Sequence, residues 1–132
     1  MCGRGHASGI RLHFRVQADG AVAAEYQPEA ARQGYRGLLH GGVIAALLDS
    51  AMANTLFARG ITALTARLTV RYRHPVRLGV PVTVRGWLED TTKLPAYNVA
   101  AEVSQAGRRV AQASAVFMQA PDEKEAQEKQ FS

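Results

Sequence analysis

The chain has 132 residues, of which 47% are hydrophobic, the size and apolar content of one domain with its own core. Its longest apolar stretch, residues 43–58, is broken by Asp49, Ser50, Asn54 and Thr55 and falls short of the roughly 20 residues that a membrane span needs. The net charge of +5 is uneven, because residues 1–119 carry fourteen basic against seven acidic side chains; these are scattered arginines with no basic helix or series of stacking aromatics, which argues against nucleic acid.

Near Met1 no stretch combines a basic start, an apolar run and a small-residue cleavage site, and Cys2, the single cysteine, has no disulfide partner, so a reducing cytoplasm is the expected location. Residues 10–16 and 21–26 read as two strands of a hairpin, joined by Asp19-Gly20, a dipeptide that tolerates positive φ. Residues 28–39 contain Gly34 and Gly37 and no sustained period, and read as a loop into His40-Gly41-Gly42. A helix is predicted over residues 43–59, rich in Ala and Leu and apolar nearly all round, as expected of a helix covered on most sides. Gly60 is its natural stop.

Beyond it, Leu64, Ala66, Leu68, Val70 and Tyr72 alternate with Thr65, Arg67, Thr69, Arg71 and Arg73, the period of a strand with one face on the core, closed by Pro75. Three more strands are predicted at residues 80–89, 96–104 and 109–118, with turns around 90–95 and at Gly107. Residues 1–119 are thus expected to form a single domain and the charged, Gln-rich residues 120–132 a disordered tail. The order predicts an α+β fold, a curved antiparallel sheet wrapped around one long central helix. A second subunit would cover what the sheet leaves bare.

Asp49 is the only charged residue in the stretch 43–58, and Ala45, Ala46, Met52 and Ala53, three and four positions away, are all apolar. An ionised carboxylate without a local partner is costly to keep there. It either pairs with an arginine from a strand, sits on an exposed sliver of helix, or performs a function. His40-Gly41-Gly42 gives weight to function, because free N–H groups at a helix start carry partial positive charge and glycines let a ligand approach them, the makings of an oxyanion hole. The same two glycines also suit a simple tight entry into the helix. Asp49 lies eight residues after Gly41, roughly 12 Å along one helix, too far for both to act on one carbonyl. Two helices antiparallel across a dimer interface would bring Asp49 of one to Gly41 of the other.

The run GYRGLLHGGVIAALLDSAM, residues 34–52, resembles the central motif of the hotdog-fold acyl-CoA thioesterases, especially the phenylacetate-pathway type and its relatives. In that family a histidine and two glycines open the central helix and an acidic residue follows nine positions after the histidine, where this chain has Asp49. The start CGRGHASGIRLHF, residues 2–14, is similar to an N-terminal pattern of many relatives, with His6 and Ala7 in place of an Asn-Pro pair. The resemblance runs from Cys2 to about Met118.

What the resemblance implies is hydrolysis of an acyl-CoA thioester to free acid and CoA, with Asp49 as nucleophile or general base and the Gly41 N–H as oxyanion donor. His40 would shape the loop, and Thr65 matches a strand hydroxyl that in some relatives holds the attacking water or the carboxylate, although an ordinary strand threonine fits equally. Gly42, Gly34 and Gln33 would line the substrate, and Arg71, Arg73 and Lys93 are candidates for the CoA phosphates. The resemblance further implies a homodimer, or a dimer of dimers, with no membrane or nucleic-acid partner and no cofactor, CoA being part of the substrate. Two departures stand out: Gly34 replaces an asparagine that orients water in many relatives, and Ser50 replaces a common Glu.

His6, His13 and His74 have no cysteine or carboxylate at ligand spacing, so no metal is expected. No Ser or Cys stands in a nucleophile elbow. Two other functions fit the same fold. One is dehydration or hydration of an acyl thioester, which needs a histidine with an acid where no second histidine is seen near Asp49. The other is a non-catalytic acyl-CoA binding module, which would bind tightly without turnover.

Overall fold

The computed structural model describes residues 12–29, 37–89 and 94–119. The expected tail and the candidates Gln33, Gly34 and Lys93 lie outside them. Along the chain run β1 (Arg15–Val16), β2 (Val22–Tyr26), α1 (Gly41–Phe57), β3 (Ala63–Tyr72), β4 (Val82–Leu88), β5 (Ala96–Gln105) and β6 (Arg108–Gln119). Period-two alternation over residues 82–119 produces three long antiparallel neighbours, and the sheet order is β1-β2-β4-β5-β6-β3. The curved sheet and its single long helix are the predicted hotdog architecture. Asp19-Gly20 does turn the hairpin, with φ +88° at Gly20 and the Asp19 carboxylate accepting from Ala21 N–H at 3.0 Å.

Alternation also sorts the faces. Val84, Val99, Val103 and Phe117 are buried on the inner face, and Leu47, Leu48, Ala51, Met52 and Leu56 of α1 pack against them in one core. Each such large side chain stabilises the fold by about 1.5–3 kcal/mol on burial. Helix and sheet come closest at Gly86, where a Cβ would lie 2.6 Å from the Ala51 carbonyl oxygen and 2.7 Å from Thr55 Oγ1. Thr55 tolerates full burial because its hydroxyl donates to that same Ala51 carbonyl. At the far end Gly60 takes φ +75° and Ile61 N–H donates to the Leu56 carbonyl, the turn that stops the helix where the sequence placed its end.

Two expectations are corrected. The helix is not covered on most sides by this chain: Ala45, Ala46, Asp49 and Ala53 form a half-buried stripe on the side away from the central strands. Nor does β3 lay its apolar set on the core, since Leu64, Leu68 and Tyr72 are 62%, 38% and 52% exposed. The reason is position and register. β3 is the edge strand and pairs only with β6; Thr65 pairs with Phe117 but Arg67 with Val116, which leaves Ala66 as a bulge. A bulge exchanges the two faces beyond it. Thr65 therefore shares the inner face with Leu68, Val70 and Tyr72, while Leu64 joins Arg67, Thr69 and Arg71 outside.

Candidate active site

The start of α1 is anchored from below. Leu39 N–H donates to the Val76 carbonyl at 2.8 Å and Leu78 N–H to the Gly37 carbonyl at 3.0 Å, so the entry to the helix is tied to the connection between β3 and β4. That connection is itself held by Gln105, buried at the end of β5, whose amide accepts from Arg77 N–H and donates to the carbonyls of Arg77 and Val80. Gln105 was not among the residues singled out from sequence. Its signal was a polar side chain in phase with the core residues Val99, Ala101 and Val103.

His40 caps the helix with extended backbone, φ −62° and ψ 136°, and its Nδ1 accepts from Gly42 N–H at 2.8 Å. The acceptor role makes Nδ1 unprotonated and puts the proton of the neutral ring on Nε2. The His40 carbonyl takes the N–H groups of Val43 and Ile44. Of the first-turn donors, only Gly41 N–H gives its hydrogen to no acceptor among the described residues. His40 thus ties the loop to the first turn of the helix. Gly42 is needed for this cap, since a Cβ there would sit 3.0 Å from His40 Nδ1; Gly41 has no such crowding, its nearest neighbour being the Tyr72 ring at 3.6 Å.

Two turns on, Asp49 stands half-buried and Oδ1 accepts from the Thr65 hydroxyl at 2.9 Å. Because of the bulge at Ala66, Thr65 faces the helix rather than the arginines that flank it in the sequence. Among the described residues Asp49 makes no ion pair, so pairing with a strand arginine is not what holds it. Tyr72, seven residues further along β3, donates its hydroxyl to the Gly41 carbonyl at 2.9 Å. One strand thus touches both functional positions of the helix.

The structure does not bring the other candidates together. Arg71 points to the outer face, where it lines a cavity of about 340 Å³ with Thr69, Trp87, Glu102, Arg109 and Gln112. Arg73 Nε donates to Gln112 on the same face. Within one chain neither reaches Asp49. Among the described residues no group of three or more His, Cys, Asp or Glu side chains converges as a metal site requires.

A family model described as the Thioesterase superfamily matches residues 36–94, the stretch that holds His40, Gly41, Asp49, Thr65 and Tyr72. Among solved structures, a thioesterase superfamily protein is 28% identical with a TM-score of 0.77; the match covers 82% of this chain and 56% of that one, so this chain spans little more than half of that relative. A phenylacetic acid degradation-related protein from Ralstonia eutropha is 27% identical with a TM-score of 0.72, over 81% of this chain and 83% of that one.

Over residues 36–94 the chain is similar to the Thioesterase superfamily, and it shares the hotdog fold of these solved structures. A protein from Streptococcus mutans solved with acetyl-CoA bound is 20% identical with a TM-score of 0.76, over 84% of this chain and 90% of that one, and shares the fold alone. No curated protein matches the sequence. The likeness covers His40 and Asp49 but assigns no substrate.

Proposed function

We propose that this protein hydrolyses an acyl-CoA thioester to the free acid and CoA in a site shared between two copies of the chain. One observation carries the reading: among the described residues, the only carboxylate of α1 stands on its half-buried stripe held by a hydroxyl and by no cation, while a backbone N–H at the start of the same helix meets no acceptor. The acyl carbonyl lies against the helix start, where Gly41 N–H stabilises the developing oxyanion. Asp49 of the second copy attacks the carbonyl carbon or takes a proton from the attacking water. The C–S bond breaks, and the CoA thiolate leaves and is protonated; if Asp49 has attacked directly, water then hydrolyses the acyl–Asp49 anhydride to the free acid and restores the carboxylate. Thr65 holds the carboxylate in place without neutralising it.

The shared site follows from length, because eight residues of helix separate the two groups by roughly 12 Å. Support for a second copy comes from β3, an edge strand with its backbone groups unpaired on one side and with Leu64, Leu68 and Tyr72 exposed. The acetyl-CoA bound to the Streptococcus mutans protein supports the ligand class. The test is thiol release across a panel of acyl-CoA substrates by purified protein, with Asp49→Ala as control. Turnover is expected for the wild type and a loss on the order of 10²–10⁴ in kcat for the variant; tight acyl-CoA binding with no turnover would replace hydrolysis with simple binding.

A further inference from the structure

We infer that Tyr72 is a positioning residue for the same reaction, and that its hydroxyl sets the aim of the Gly41 N–H. The inference rests on the hydrolytic reading above and assigns to that site a residue the sequence pattern gave no reason to choose.

Gly41 lies between two peptide planes, and the structure holds each by a different side chain. On the far side of its Cα, the peptide that joins Gly41 to Gly42 is gripped at both ends: its carbonyl accepts from Tyr72 Oη at 2.9 Å, and its N–H donates to His40 Nδ1 at 2.8 Å. With that plane fixed, the neighbouring peptide that carries the Gly41 N–H retains only the φ and ψ rotations of Gly41 itself, a residue with no side chain. An oxyanion donor is useful only if its direction is set before the charge develops. Glycine at a helix start is the residue least able to set its own direction.

The bulge at Ala66 is what makes this possible. Without it, Thr65 and Tyr72, seven residues apart, would point to opposite faces of β3. With it both face the helix, Thr65 on Asp49 and Tyr72 on Gly41, in hydrogen bonds of equal length. In a shared site each β3 therefore holds the carboxylate of one active centre and the oxyanion donor of the other. Tyr72 is half-exposed, so its hydroxyl has water as an alternative partner and its bond to Gly41 contributes little to global stability. Its effect is expected in turnover.

The test compares Tyr72→Phe, which keeps the ring and removes the hydroxyl, with Tyr72→Leu and Asp49→Asn in the full chain. Steady-state thiol release, thermal unfolding, light scattering for assembly and amide exchange at Gly42 by NMR are measured on each. Tyr72→Phe is expected to lower kcat about tenfold with KM within about twofold and with Tm and assembly unchanged, and to speed exchange at the Gly42 amide, which His40 protects, by about tenfold. Tyr72→Leu is expected to lose at least as much. Wild-type kcat and unchanged Gly42 exchange in Tyr72→Phe overturn the inference, as does a fall in activity that follows only a lost assembly or a lowered Tm. Full activity in Asp49→Asn, or none in the wild type, instead removes the hydrolytic reading on which it rests.

Discussion

The two sides of α1 are built on opposite terms. Towards β4 and β5 the helix is pressed so close that Gly86 has no room for a methyl group, and Thr55 answers its own burial with a bond to Ala51. Towards β3 the same helix shows Ala45, Asp49 and Ala53 to a partly open flank, and a Cβ at Gly41 would meet nothing closer than 3.6 Å. One side is crowded and internally satisfied; the other keeps, among the described residues, a donor without an acceptor, a carboxylate without a cation, and space. Glycine serves packing on the first side and access on the second, so glycine substitutions separate stability from activity.

The largest effect on stability is expected at the crowded side. Gly86→Ala forces its Cβ against backbone, and the expected loss is about 2–3 kcal/mol, a fall in Tm of roughly 10 °C by calorimetry. At the helix start the two adjacent glycines should part company. Gly42→Ala displaces the His40 cap and is expected to cost about 1 kcal/mol. Gly41→Ala leaves the cap alone and is expected to hold or slightly raise Tm, since alanine is the better helix former, while lowering kcat by about tenfold or more as the Cβ fills the approach to the N–H. Equal losses of Tm in both variants would erase the contrast.

The smallest effect lies far from the helix, in the hairpin. The Asp19 carboxyl is held below its ordinary pKa by the Ala21 N–H and by Arg85, and the Glu25 carboxyl by the Thr83 hydroxyl and Arg15. A carboxyl lowered in the folded state stabilises it above the unfolded pKa, and that stability is lost as pH falls through the folded value. Both groups are exposed to solvent, so the expected change is slight. Chemical denaturation of Glu25→Gln should show a wild-type advantage at pH 7 that shrinks below about pH 4.

Much of this was legible in the residues themselves. The helix, its stop at Gly60 and the Asp19-Gly20 hairpin follow from local chemistry, and the spacing from His40 to Asp49 carried the family resemblance. Long-range register was less accessible. A strict alternation put Thr65 with the arginines and away from the helix, because nothing in the run LTARLTV announces a bulge at Ala66. The same alternation suggested a buried β3, since an edge strand with apolar residues on its inner face has the pattern of a core strand. Gln105 and Tyr72 escaped for a related reason: each acts through a backbone group distant in sequence, which residue type alone does not reveal.

The shared site is the claim most directly open to trial, by mixing two impaired chains. Asp49→Ala and Gly41→Ala protein, unfolded together and refolded at equal amounts, would form mixed dimers in which one of the two sites combines an intact Gly41 with an intact Asp49. Random pairing is then expected to restore roughly a quarter of wild-type thiol release. A mixture no more active than its two parents would contradict a site built from two chains.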